Sequence, residues 1–176
     1  SESNLDLLES EGLGFHYVGG LKKNQVTELF AVSKSNYKPL SCPEDAPEKY
    51  KSLTTYRMRA TVLGREATTV IVYNPELEKG QLQGIQINIE KTKSELLEIQ
   101  GKLLKRSKGE LKKGKKPTFE SVSKAVSKIL DHREYMDDIF EYEILEKDNH
   151  IFLTFSDSED KLNVIREEQL GKTALF

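Results

Sequence analysis

Two stretches of this sequence repeat apolar residues at alternating steps of three and four, which commits the chain to two long helices. The first runs Leu82, Ile85, Ile89, Thr92, Leu96, Ile99, Leu103, and the second runs Phe119, Val122, Val126, Ile129, Arg133, Met136, Phe140. Only Thr92 and Arg133 break the apolar character. This is the a/d spacing of a coiled-coil seam, which lays one narrow stripe along one side of each helix. Paired antiparallel, Leu103 faces Phe119, Leu96 faces Val126 and Leu82 faces Phe140. The pattern predicts helices over 76–106 and 118–139, folded into a two-helix arm ~30–45 Å long at 1.5 Å per residue. Thr92 and Arg133 are its weak points, where another element could meet the arm. The same spacing also suits two core helices of an ordinary bundle.

Between the seams lies a strongly basic segment. Lys102, Lys105, Arg106, Lys108, Lys112, Lys113, Lys115 and Lys116 stand against the single acid Glu110, a local charge of +7 in a chain whose net charge is −2. At the tip of an arm these cations could neutralise several phosphates. With ~4 contacts to duplex DNA, log affinity would fall against log salt with a slope near −3.6. Lysines and glycines of this kind hold backbone and do not read bases. The competing reading is a solvated loop whose charge only keeps it in solution.

The rest of the chain alternates short strands and helices. Ser3-Asn4-Leu5-Asp6 has the form of a capping box, so 4–11 reads as a helix closed by Gly12. Phe15 to Leu21 reads as a strand and Asn24 to Val32 as a short helix capped by Asn24, whereas 33–53 is rich in proline and reads as loop. Tyr56 to Leu63 and Ala67 to Tyr73 form a hairpin around Gly64-Arg65-Glu66. Asn74-Pro75-Glu76 opens the first long helix with a cap, a proline at the first position and an early acid. Beyond the arm, Glu141 to Glu146 and Ile151 to Phe155 flank a turn at 147–150. A helix capped by Asp157 or Ser158 and ended by Gly171 follows, then a strand from Thr173. A first residue that is not Met and a last run of bare Leu-Phe suggest a piece of something longer.

Leu, Ile, Val and Phe make up about 27% of the 176 residues, above the ~20% below which chains tend to stay disordered. No apolar run approaches the ~20 residues of a membrane span, and no leader or lipidation motif is visible. The expectation is a soluble, cytoplasmic protein with no membrane partner. The single cysteine, Cys42, excludes an internal disulfide and a cysteine-based zinc cage. His16, His132 and His150 have no His or Cys at ligand spacing. Asp137-Asp138 and Asp157-Ser158-Glu159-Asp160 could hold a hard cation, but read more simply as helix-end and cap acids. Arg57 and Arg59 share a strand face and point to solvent or to a phosphate. From the residues alone, this is an α/β chain with a basic-tipped helical arm, no metal site and no self-contained catalytic set.

Six segments in order carry a resemblance. They are His16-Tyr17-Val18-Gly19-Gly20-Leu21-Lys22; Tyr56-Arg57, which opens a hairpin; Val72-Tyr73-Asn74-Pro75, which ends it; Gly80-Gln81-Leu82-Gln83-Gly84-Ile85; Lys116-Pro117-Thr118-Phe119-Glu120-Ser121-Val122; and the closing Gly171-Lys172-Thr173-Ala174-Leu175-Phe176. Together they resemble the DDE transposases of bacterial and archaeal insertion sequences, in the insertion-sequence-four superfamily. The resemblance implies an RNase H-like core whose three carboxylates hold two Mg or Mn ions for in-line attack on phosphodiesters. It also implies that this chain is the stretch between the second catalytic Asp and the catalytic Glu. None of the three acids falls on a residue here, so the chain should hold no cofactor and cleave no DNA alone.

The expected architecture is therefore α/β, a partial RNase H-like core with an inserted β-hairpin and a long antiparallel helical hairpin. Its segments would be 1–54 (core), 55–75 (hairpin), 76–140 (arm, with its basic tip at 102–117) and 141–176 (hairpin, helix and core strand). The expected function is DNA transposition. The insertion would contact the DNA backbone of transposon ends, or a second copy of the protein in a synaptic complex on chromosomal DNA. The alternative is a protein-interaction module that uses the helical hairpin as a dimerisation or docking arm.

Overall fold

The structure, a computed structural model, describes residues 18–23, 26–112 and 114–176. The helix expected over 4–11 with its Gly12 cap, the first half of the strand Phe15 to Leu21, the Asn24 cap and Lys113 lie outside the described residues. The described chain is mixed α/β with an antiparallel sheet and one long helix. It divides into two compact units, one of residues up to Gln81 together with Ile165–Phe176, the other Leu82–Val164.

The first unit begins with β1 (Gly20–Leu21), then α1 (Thr27–Phe30), a 3₁₀ turn at Lys34–Asn36, β2 (Lys38–Pro39) and α2 (Glu48–Lys51). The loop expected over 33–53 thus contains three short elements. Their pairing is long-range (Lys38 opposite Thr55, Pro39 opposite Thr54) and leaves no periodic trace in so few residues. β3 (Thr54–Val62) and β4 (Arg65–Tyr73) form the expected hairpin. Its turn is the two residues Leu63 and Gly64, with φ of 51° and 76°, rather than Gly64-Arg65-Glu66. Positive φ at both positions gives the turn the twist that matches its strands.

Asn74 then starts α3 (Pro75–Ser107) as expected, its Oδ1 accepting from the amides of Glu76 (3.0 Å) and Leu77 (3.3 Å). α4 (Phe119–Leu130) starts on a capping box in which Thr118 and Ser121 bond each other's amides. The second seam does not stay helical to 139. α4 ends at Leu130, Tyr135 turns left-handed (φ 69°), and only the short α5 (Met136–Ile139) follows. β5 (Phe140–Lys147) and β6 (His150–Asp157) make the second expected hairpin around Asp148-Asn149. Ser158 caps α6 (Glu159–Gln169), and β7 (Lys172–Leu175) closes the chain's path.

The sheet of the first unit runs β1-β7-β4-β3-β2, antiparallel throughout. Leu21, Val26, Phe30, Val62 and Ala174 form a buried cluster on one side. Residues of the opposite phase (Thr55, Val70, Val72, Thr173 and Leu175), with Leu77, line an apolar groove of ≈ 690 Å³. Tyr73 and Lys172 are direct partners across β4 and β7, so the chain leaves and re-enters this sheet at adjacent points. Gly171 makes that junction. The Asn74 amide donates to its carbonyl (2.8 Å) and its own amide donates to Gln81 Oε1 (2.7 Å). It holds φ +74°, and an added Cβ would lie 2.8–2.9 Å from Tyr73, Asn74 and Glu78.

Around that junction Glu78 is 4% exposed and is met by Lys34 Nζ (2.5 Å), Tyr73 Oη (2.7 Å) and Arg166 Nε (2.5 Å). Burial alone would raise its carboxyl, but the three donors outweigh burial and hold it down at about 2. Lys172, also buried, donates to the carbonyls of Phe30 (2.5 Å) and Val32 (2.9 Å), while desolvation and the nearby Lys34 charge bring it down to about 8. This cluster ties the unit together. Sequence reading missed it because its charges are 44 and 88 positions apart.

In the second unit Thr92, Leu96 and Val126 are fully buried and Ile85, Ile89, Leu103 and Val122 nearly so. The two polar seam positions meet: Arg133 forks onto Glu95 (2.6 and 3.0 Å) and reaches Thr92 Oγ1 (3.3 Å). α3 also carries β6, through Gln100 Nε2 to the Leu153 carbonyl (2.8 Å) and Lys93 to Asp157 (3.0 Å). α3 thus holds both the Arg133 turn and the β6 strand. Phe119, the expected partner of Leu103, is 51% exposed.

Candidate nucleic-acid interface

The basic segment is built from the end of α3 upward. Lys102, Lys105 and Arg106 lie on its last turns, and Lys108 follows. The helix stops at Gly109 (φ +74°), whose amide bonds the Arg106 carbonyl (3.1 Å) while the Glu110 amide bonds the Lys105 carbonyl (2.9 Å). This is a Schellman closure, and it needs glycine at the left-handed position. Among the described residues, no helix or strand lies between Glu110 and the Thr118 cap, where Lys112, Lys115 and Lys116 fall.

The structure sorts seven of the eight cations. Lys102 makes an exposed i,i+4 pair with Glu98 (3.6 Å), an interaction worth little. Arg106 is half-buried and donates to the Gly114 carbonyl (3.4 Å), and Lys116 donates to Asn149 Oδ1 (2.6 Å). Lys105, Lys108, Lys112 and Lys115 are exposed and make no ion pair among the described residues. Lys113 is outside them. A patch of uncompensated ammonium groups repels itself, and a polyanion relieves that repulsion while releasing its own counterions. Sequence reading missed the part of the β5–β6 turn that Lys116 reaches. The turn itself was legible, but not its nearness to a segment more than thirty positions away.

The other candidates fall elsewhere. Arg57 and Arg59 are exposed on β3. Cys42 Sγ lies 3.8 Å from the Tyr50 carbonyl. Asp137 and Asp138 are exposed at the start of α5, and Asp157 pairs with Lys93. His132 is exposed, His150 is partly buried, and His16 lies outside the described residues. Among the described residues no group of three or more His, Cys, Asp or Glu could hold a metal ion, and no helix is long and apolar enough to cross a membrane. Comparisons with protein-family models, curated proteins and solved structures find no match for this chain.

Proposed function

We propose that this chain is the internal part of a DDE transposase of an insertion sequence, and that its basic segment grips the DNA backbone. The observation that carries the DNA reading is the set Lys105, Lys108, Lys112 and Lys115, exposed and without acidic partners among the described residues at the end of a 33-residue helix. The ordered family-like segments support the transposase reading. So does the direct pairing of Tyr73 with Lys172, which fits an insertion that interrupts a core sheet. On this reading the sheet is part of an RNase H-like core, and the catalytic acids with their Mg or Mn ions belong to flanking segments. The chain's own share is backbone contact with transposon ends.

Fluorescence anisotropy with a mixed-sequence duplex tests this. Binding should weaken with a log–log salt slope of about −3.6 if ~4 phosphates are contacted. Replacing Lys105, Lys108, Lys112 and Lys115 by Gln should abolish most of it. No binding at low salt, or binding untouched by the four substitutions, overturns the reading.

The interaction-module reading has one observation in its favour. Leu97 and Leu104, two turns apart on α3, are 55% and 45% exposed. A second copy could cover them. Light scattering that finds a concentration-dependent dimer, lost on Leu97→Asp, with no DNA affinity, would favour that reading.

A further inference from the structure

Beside the exposed lysines there is a small hollow of ≈ 100 Å³ with an apolar floor of Leu103, Pro117 and Ile151 and walls that carry Arg106, Lys116 and His150. Three separate pieces of chain build it: the end of α3, the segment leading into α4, and the start of β6. Each is fixed. Leu103 and Ile151 are 7% and 4% exposed, the Arg106–Gly114 bond curls the connecting segment back over the guanidinium, and the Lys116–Asn149 bond fastens it to the β5–β6 turn. Gly114 permits the curl, with φ +96° and room for a Cβ only 3.2 Å from Arg106 Nη2. Asn149 joins the lining, and no carboxylate does; Asp148, next to it in the chain, is absent from the walls.

We propose that this hollow seats one backbone phosphate of a nucleic acid, which brings the β5–β6 turn, through His150, into the contact surface. The proposal deepens the DNA-gripping function above and rests on it. An arginine offers a planar fork that matches two phosphate oxygens, and a lysine offers a point charge with three protons. Asn149 Oδ1 accepts one hydrogen bond from the Lys116 ammonium and holds it at the wall of the hollow. An imidazole N–H supplies a third donor. The exposed lysines attract the polyanion loosely, whereas a walled seat fixes its register on the arm. That is the difference between charge that steers and contacts that position.

Duplex affinity of the full chain at fixed salt tests this with three variants: Arg106→Gln, Lys116→Gln and His150→Ala. Lys116→Gln removes the charge and leaves an amide N–H, one bond shorter, on the same side of the segment. Each cation variant should bind roughly fivefold more weakly, equally on two unrelated duplex sequences, with the salt slope smaller by about 1. His150→Ala should lose about threefold with its slope nearly unchanged, on the same contact logic. Circular dichroism melting identifies any variant that has unfolded, and Arg106→Lys then replaces Arg106→Gln as the milder probe, expected to fall between the two. If the wild type binds and the exposed-lysine variant does not, yet all three hollow variants bind like wild type, the seat is overturned while the DNA-gripping function stands. If the wild type binds no duplex, that function falls, and a titration with inorganic phosphate decides the hollow alone. Amide shifts at Gly114, Asn149 and His150 that vanish in Arg106→Gln would support the seat, and their absence in wild type would overturn it.

Discussion

Single residues decide the first unit at the point where β4 and β7 meet. Gly171 sits at φ +74° with three neighbours inside 3 Å of where a Cβ would stand. Alanine there meets both a left-handed backbone, costing about 1–2 kcal/mol, and an overpacked contact, costing about 1–3 kcal/mol. Gly171→Ala should therefore destabilise the unit by about 3 kcal/mol, read as lost hydrogen-exchange protection of the β4 and β7 amides. Glu78 is the second such residue. Its folded-state pKa of about 2 lies below the ordinary 4.5, so its contribution is complete above pH 4.5 and disappears as pH falls toward 2. The span corresponds to about 3 kcal/mol, at 1.36 per unit. In Glu78→Gln this acid-dependent loss should be missing from β4 and β7 exchange measured between pH 5 and 3. The variant should also be less stable at pH 7 by about 3 kcal/mol, since Lys34 and Arg166 keep their charges without a counter-charge.

Elements show which features a reader of the sequence can see. α3 was legible because its signals are local: Asn74-Pro75-Glu76 at the start and an unbroken three-and-four spacing. Both β-hairpins were legible for the same reason, from alternating strands around short turns. The end of α4 was not. Its seam continues on paper through Arg133 and Met136, yet the helix stops at Leu130. The competing interaction is the Arg133 fork onto Glu95, a tertiary contact invisible to a local pattern. The two-residue strands β1 and β2 escaped because their partners lie far along the chain, Gly20 with Leu175 and Lys38 with Thr55. The basic segment was legible as composition, whereas its hollow depends on a turn supplied from elsewhere in the fold. Leu96 carries the element-scale prediction. It is fully buried within its own unit, so the seam there is not a free dimerisation face. Leu96→Ala should lower stability by about 2–5 kcal/mol, shifting the urea midpoint of the second unit's amide signals. A dimer dissociating with no change in that midpoint would contradict this placement.

At the scale of the whole molecule, charge segregation has a length that can be measured. The chain's net charge is −2 although the segment Lys102–Lys116 carries +7, so the remainder carries −9. Acids outside the segment repel a polyanion wherever their field reaches it. Within the second unit, the geometry of α3 gives the distance from one group of acids to the lysines. Lys93 holds Asp157 at 3.0 Å, and Lys105 is twelve residues further along the same helix, ~18 Å away at 1.5 Å per residue. Exposed Asp160, just past Asp157 at the start of α6, belongs to the near end of that span. At 0.15 M salt the Debye length is about 8 Å, and at 0.01 M it is about 30 Å. Asp160→Asn should consequently leave duplex affinity within about twofold at 0.15 M, yet strengthen it measurably at 0.01 M, where the field reaches the end of α3. Anisotropy titrations at the two salt concentrations check this. A gain as large at 0.15 M as at 0.01 M would mean that the nucleic acid touches the start of α6 directly and that the grip extends well beyond the basic segment.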